Sequence, residues 1–522
     1  MKNIFKNTSK VLAAGILIWS ATSCKDFLDL QPQDRRTEEN FYRTQADAEE
    51  ALAGVYDVVA WSAPSIPEIL DNSSDDGYKG GSDISDSPLM YEFDQHRIAP
   101  TNTINGDLYR NQWYGISRAN LLLANMEGID MPEDAKNRIM SEAKFLRAHF
   151  YMTLVRFYEN IPLITEPLAG VSQANQPQAT PEMVWNQIAT DLEDAIALLP
   201  AVRLNQNSGR ATKYSAEALL ARGYLFYKGV YNKELQAGNV VVNSQRALQH
   251  LQDIINTSSH SLTAVYDSIW TKHNEFNNES VWEISYSDAL LWGDWGFTNG
   301  GEGNMQPQRQ GPRVKTPATE KYFAGWSFVP VSQSFYNAFA ANDPRRNASI
   351  LIVEEELSGE LNIGFQNTGY FSDKYTTTKE YAGRGGTPEL NRGNNYRAIR
   401  YADVLLMAAE LSTMTGADGQ EYLDAVRQRV GLDPIPATLD NIYNERHLEL
   451  GLEGIRYWDL LRQGMPVAQQ ALTQNIRGPR YTDPQVNYEI NFNPATRGFF
   501  PIPQSEIDLS GGVLKQNAGY NQ

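Results

Sequence analysis

Cysteine is all but missing from this 522-residue chain, in which Cys24 stands alone. One thiol excludes an internal disulfide framework and any metal site built on a cysteine cluster. Histidine is almost as scarce. The six histidines, at positions 96, 149, 250, 260, 273 and 447, make no pair at metal-ligand spacing, and His149 reads as a structural residue inside a helix. Basic residues are outnumbered, 45 Lys and Arg against 63 Asp and Glu, for a net charge of −18 and a pI near 4.9. That balance leaves no electrostatic footprint for a phosphate backbone and argues against nucleic acid as a partner. No phosphate-binding G-x-x-x-x-G-K-[ST], dinucleotide G-x-G-x-x-G, G-x-S-x-G or H-E-x-x-H is present, so no cofactor or catalytic class is implied by motif. A carboxylate pair for glycoside hydrolysis remains open among the 63 acids, but nothing in the pattern selects one.

The lone cysteine has a context. Lys2, Lys6 and Lys10 precede a short apolar run from Val11 to Trp19, and I-W-S-A-T-S-C ends at Cys24. Nine apolar residues are too few to span a bilayer of about 30 Å as a helix, and no later segment approaches 18. The stretch looks like a bacterial lipoprotein signal, residues 1–23, with Cys24 as the acylated mature N-terminus. An ordinary secretory signal with a chance cysteine is the competing reading. Acyl chains bury about 0.8 kcal/mol per methylene, and several of them hold a soluble body on a membrane. Loss of residues 1–23 removes three lysines and no acid, leaving 499 residues with a net charge of −21. The expectation is a lipid-tethered, extracytoplasmic protein.

Most of the remaining pattern is helical. Pro32 to about Val59 carries Phe41, Ala48, Leu52 and Val55 on one stripe. Helices follow at Asn111–Met126 and Ala135–Tyr158, the latter with Leu146, Phe150, Leu154 and Phe157 in line and Asn160-Ile161-Pro162 as its stop. Thr180-Pro181-Glu182 reads as a cap, a proline at the first position and an acid in the first turn. It opens a helix to Leu199. Tyr214–Tyr227 and Ser244–Ile255 come next, and Ala218, Ala221 and Gly223 permit close helix contact. Their placement resembles a tetratricopeptide unit. Later helices are expected near 332–341, 401–430 and 441–463. Pro64–Pro100 is instead rich in Gly, Ser, Asp and Pro and predicts long surface loops, while between Trp282 and Gly393, with its tryptophans, glycines and prolines, the helical signal nearly vanishes outside Ser332–Ala341 and long irregular excursions are expected.

Candidate ligand groups are few. Asp71, Asp75, Asp76 and Asp83 lack the spacing of a Ca²⁺ loop and read as a solvated acidic loop. Glu445, Glu449, Glu453 and Asp459 beside Arg446 and Arg456 read as salt bridges rather than an acid–base pair. Tryptophan is more informative. Trp113, Trp185, Trp270, Trp282 and Trp458 sit where packing explains them. Trp61, Trp292, Trp295 and Trp326 stand in Gly- and Pro-rich surroundings, where an exposed ring stacks on the C–H face of a sugar while Asp, Asn and Arg bond its hydroxyls. With Tyr78 they are the candidate ligand-binding residues. No metal ligand is assigned.

Several blocks, in order, carry a family resemblance: C-K-D-F-L-D-L-Q-P at 24–32, E-A-K-F-L-R-A-H-F-Y-M-T-L-V-R-F-Y-E-N-I-P-L-I from Glu142, I-R-Y-A-D-V-L-L-M-A-A-E at 399–410, E-R-H-L-E-L-G-L-E-G-I-R-Y-W-D-L-L-R and the late F-F-P-I-P-Q-S-E-I-D. The chain resembles the SusD/RagB-like outer-membrane nutrient-binding lipoproteins. The resemblance implies a mostly α fold, a SusD-like helical scaffold with tetratricopeptide-like hairpins and long irregular loops. It implies one body over 24–522, mainly helical over 24–255 and loop-rich over 256–522. It further implies a non-catalytic protein that captures oligosaccharides at the cell surface, anchored in the outer membrane by its N-terminal lipid (palmitate among the acyl chains) and partnered by a SusC-like TonB-dependent transporter. Asp26 and Asp29 resemble the acidic context for export to the outer face. RagB-like members bind peptides, which is the alternative ligand class; a helical glycoside hydrolase is a more distant one. The matching blocks are scaffold, so they carry no ligand residue over.

Overall fold

A computed structural model describes residues 41–63, 65–170, 173, 175–290, 302–315, 319–357, 361–383, 390–477 and 487–520. The expected signal segment, Cys24, Trp292 and Trp295 lie outside them.

The fold is a helical scaffold whose helices begin at local capping signals. Thr44 accepts from the Asp47 amide, and Asp47 bonds back to the Thr44 amide, opening α1 (Gln45–Ser62). Ala48, Leu52 and Val55 are fully buried on its inner face as expected, whereas Phe41 precedes the helix. A short α2 (Ser65–Asn72) follows, then α3 (Thr103–Asn125) and α4 (Glu133–Tyr158). Leu146, Phe150, Leu154 and Phe157 of α4 are buried, each contributing about 1.5–3 kcal/mol relative to exposure. The helix ends at Glu159, whose φ of 54° turns the chain before Pro162. Thr180 caps α5 (Pro181–Leu198), Thr212 caps α6 (Lys213–Tyr231) and Asn243 caps α7 (Ser244–Thr257).

Consecutive helices α4 to α7 pack on one another, and α8 (Tyr401–Thr415) continues the stack between α7 and α9 (Gln420–Arg429). Close approach depends on small residues. A Cβ at Gly223 of α6 would lie 2.6 Å from Met152 Cε of α4, so a larger residue there needs that side chain to shift. The main hydrophobic core runs from Ala48 to Leu514, with smaller clusters around Phe335, Tyr322 and Trp270.

Strands are few and short. Among the described residues, eight form four antiparallel pairs. β1 (Leu235–Ala237) pairs with β2 (Val240–Val242), β3 (Ser280–Ile284) with β6 (Tyr396–Arg400), β4 (Ile350–Ile352) with β5 (Tyr370–Ser372), and β7 (Gln474–Arg477) with β8 (Asn487–Ile490). Trp282 stands opposite Ile399 and Glu283 opposite Arg397, with bulges on either side of Trp282. Every residue of β3 is buried.

Two expectations fail. The stretch after Pro64 is no solvated loop. It contains α2 and a helix at Pro88–Asp94, and Asp71, Asn72, Ser73, Ser74 and Asp76 are 3% exposed or less. Distant partners make this burial tolerable: Asp71 accepts from the Gly454 amide at 2.9 Å, Asp75 takes both arms of Arg456 at 2.7 and 2.8 Å, and Asp76 pairs with His447 at 2.6 Å. Only Asp83 of the four acids is exposed.

The helix expected over 441–463 is in fact two, α10 (Leu439–Leu450) and α11 (Arg456–Arg462). The first leaves helical geometry at Gly451, whose ψ is 145° and where a Cβ would lie 2.2 Å from the Phe335 ring, and Leu452 and Gly454 turn the chain at φ 64° and 66°.

Candidate functional site

The carboxylates of α10 and α11 are consumed by buried ion pairs, as the sequence pattern suggested, but mostly between elements rather than along one helix. Arg345 reaches Asp343, Glu445 and Glu449. Arg400 reaches Glu279, Glu449 and Glu453, and Arg429 reaches Glu279 and Glu449. Burial alone would raise Glu453, yet the Arg400 and Lys374 charges outweigh it and hold the carboxyl below its ordinary range. A carboxylate so matched is poorly placed to shuttle protons. Asp75, Asp76 and His447 bring three ligand atoms within 4.8 Å of one another, but the Arg456 and His447 pairings described above already occupy them. They form a knot that ties the chain after α2 to the break between α10 and α11.

The large opening in the molecule lies elsewhere. A cleft of about 1010 Å³ runs between α1 and α3 on one wall and the segment from Trp282 to Leu290 on the other, with Glu302 to Met305 beyond it. α1 supplies Ala53, Asp57 and Trp61 at i, i+4 and i+8, on the face away from Leu52 and Val55, while α3 supplies Asp107 and Asn111 at i, i+4. Trp61 and Asn111 are half-buried. Asp57 lies 3.2 Å from Arg118 and Asp107 lies 2.6 Å from Arg110, both pairs well solvated. At the end of the cleft Arg309 is bound to Glu68 through both carboxylate oxygens, one at 2.7 Å. Tyr56 is also in the wall. Its hydroxyl donates to Glu142 at 2.7 Å and accepts from the Ala211 amide. Burial, then the Glu142 charge, push that phenol well above its ordinary 10.

The cleft therefore combines an indole, amide and carboxylate groups and an apolar floor of Trp282 and Ile284, which is chemistry for an uncharged polar ligand.

The structure separates the sequence-predicted ligand residues. Trp61 lines this cleft, although it lies in the last turn of α1 and not in a loop. Trp326 is half-buried nearby: its ring lies 5.9 Å from the Arg309 guanidinium and its amide donates to the Gln308 carbonyl at 2.8 Å. Tyr78 is only 4% exposed, with its amide bonded to Pro330. So buried, it offers no ring face to a ligand; the neighbouring Gly77 and Gly80 bridge to Val331 and Phe328. Leu290 and Glu302, the described residues flanking 291–301, both line the cleft. Asp57, Asp107 and Asn111 were not singled out from sequence. Their signal was a polar i, i+4 stripe opposite each apolar one, which reads equally as solvated surface.

Architecture and opening define a helical-scaffold protein with a ligand cleft. Residues 26–225 match a family described as starch-binding and associating with the outer membrane, and residues 350–520 match the SusD family. A laminarin-binding SusD-like protein of known structure is 35% identical, with a TM-score of 0.79 over 92% of this chain and 100% of that one. Surface glycan-binding protein A from Bacteroides thetaiotaomicron, solved with laminarihexaose, is 28% identical at TM-score 0.79, covering 91% and 99% of the two chains. A SusD-like protein of Formosa agariphila is 26% identical over 97% of both chains. The chain belongs to the SusD family.

Proposed function

We propose that this protein is a non-catalytic, lipid-anchored glycan-binding protein of the outer membrane, capturing neutral oligosaccharides at the cell surface for a SusC-like TonB-dependent transporter. The observation that carries the reading is the half-buried Trp61 beside Asp57, Asp107 and Asn111 in the large cleft of a chain spanning the whole of a laminarin-binding relative. Stacking on the indole and bonding of hydroxyls by the acids and amide suit a sugar. Asp57 and Asp107 line the cleft but are paired with Arg118 and Arg110, and Arg309, the basic residue of the lining, is committed to Glu68. With that guanidinium already held, the lining favours a neutral chain such as laminarihexaose over a sulfated or uronic-acid one. Arg313, a second basic residue of that region, is likewise engaged, at 3.3 Å from Asp86 and 3.0 Å from the Trp326 carbonyl. Trp292, Trp295 and Trp326 are proposed as further ligand contacts.

Tethering through Cys24 raises the effective concentration of captured glycan near the transporter, so modest affinity suffices. Mass spectrometry of the native N-terminus checks the acylation. The function is tested by calorimetric titration of the purified protein with laminarihexaose, an acidic oligosaccharide and mixed peptides, each examined afterwards for cleavage. Saturable heat with the neutral glycan, left intact, supports capture. Peptide-only heat overturns the carbohydrate reading, and cleaved glycan makes the protein an enzyme.

A further inference from the structure

Behind the floor of the cleft lies a second, smaller cavity of about 80 Å³, lined by α2, α4, α6, α8, α10 and α11. Trp282 and Ile284 line both spaces. Its walls are otherwise apolar, except for an unusual set of charges. Four arginines face it: Arg156, Arg222, Arg446 and Arg462.

Three of them are matched. Arg222 bonds Asp403 at 2.5 Å. Arg446 bonds Asp403 at 2.6 Å and Asp459 at 2.9 Å, and Arg462 bonds Asp459 at 2.7 Å and Glu410 at 2.9 Å. Three carboxylates thus answer three guanidiniums. Arg156 is the one left over. It donates from Nε to its own helix, to Met152 at 3.3 Å, and its guanidinium lies 5.0 Å from the Trp458 ring. Among the described residues it makes no ion pair.

Two donors around Arg156 are also unmatched. His149, Thr153 and Arg156 fall at i, i+4 and i+7 on α4 and all line the cavity. The Thr153 hydroxyl is spent on the His149 carbonyl. The His149 ring meets Phe150 and Trp282 edge-on, with no hydrogen bond to a described residue. The Trp458 indole N–H, in the same lining, is buried without a hydrogen-bond partner. Burial, then the Arg156 and Arg222 charges, push His149 down to about 3, so its ring is neutral at pH 7 and presents one N–H. Burial and Arg222 also lower Arg156, to about 9. A guanidinium does not give up its proton at neutral pH even so.

Arg156 is half-buried, and a cation held there with no counter-charge among the described residues is unfavourable. The cavity around it offers donors and almost no free acceptors, and it has room for several waters. We propose that this cavity is a binding site for one small inorganic anion of the halide class, held by the Arg156 guanidinium with the His149 and Trp458 N–H groups beside it. The proposal does not rest on the capture function, although Trp282 and Ile284 border both spaces.

The test is crystallographic and spectroscopic. Crystals of the protein are soaked in sodium bromide and examined at the bromine edge, and ³⁵Cl NMR line broadening is followed in solution. The expected result is an anomalous peak within hydrogen-bonding reach of Arg156, with excess chloride broadening that bromide competes away. Arg156→Met abolishes the broadening and Arg156→Lys retains part of it. Water density with no anomalous peak in the wild-type cavity overturns the proposal, whatever the folding of the variants. So does a peak without solution broadening, which would mark an adventitious ion only.

Discussion

The Arg400 guanidinium donates to both carboxylate oxygens of Glu453, from Nε at 2.9 Å and from Nη2 at 2.8 Å, across 53 residues of sequence. Both side chains are buried, and Lys374 reaches the same carboxylate at 2.7 Å. Removing one partner of such a cluster strands the others. Glu453→Gln is expected to destabilise the protein by about 3–5 kcal/mol, read as a lower midpoint in urea. Because Glu453 is held below 4.5, its contribution is complete above the ordinary glutamate range and is lost as pH falls through the depressed value. The gap between wild type and variant should therefore close in acid. A constant gap from pH 7 to pH 3 would mean the cluster is not what stabilises.

His250 gives the opposite sign. It lies 3.3 Å from both Glu193 and Glu217. Burial opposes the charged ring, but the two carboxylates outweigh it and raise its pKa above 6.5. The stabilisation is full below pH 6.5 and fades as pH rises through the raised value. His250→Gln should lose most stability near pH 6 and little near pH 9. Thermal unfolding of both proteins across that range checks it.

Gly454 turns the chain between α10 and α11 at φ 66°, and a Cβ there would sit 2.8 Å from Pro67 Cα. Gly454→Ala combines left-handed backbone strain with overpacking against α2 and is expected to cost about 1–3 kcal/mol. Gly238 has φ 56° with nothing within 4 Å of its Cβ, so Gly238→Ala carries only the backbone part. An equal loss in unfolding temperature for both would remove the packing argument.

For the cleft, Trp61→Ala should weaken laminarihexaose binding by about 2 kcal/mol or more, roughly 30-fold in Kd, with the unfolding temperature little changed. Alanine at both Trp292 and Trp295 should abolish binding if that pair belongs to the site. Unaltered affinity in the double variant, with loss in Trp61→Ala, would confine the site to the α1–α3 wall.

Helices were the legible part of this fold, because caps such as Thr180-Pro181 and stripes such as Leu146 to Phe157 are local. The burial of Asp71 and the pairing of Asp75 were not legible. Their composition favours water, and what overrides it is Gly454 and Arg456, some 380 residues away. The break in α10–α11 had a visible cue in Gly451 and Gly454, but that Phe335 and Pro67 leave no room for a side chain at either position could not be read from it. In the same way Trp61 could be named as a ligand candidate from its neighbours, while Asp107 and Asn111 become site residues only when α3 lies across from β3.

The strand β3 sets the character of the cleft. Its Trp282 and Ile284 form the floor, its Glu283 is bonded by Ser280, Asn395 and the Phe276 amide, and the preceding Glu279 belongs to the Arg400 cluster. A floor fixed in this way leaves little slack to take up when a ligand arrives, so the entropy of ordering falls chiefly on the sugar. Discrimination among glycans should then follow the curvature each chain already holds in water. A chain that is pre-bent to the floor gains over a straighter isomer of identical composition.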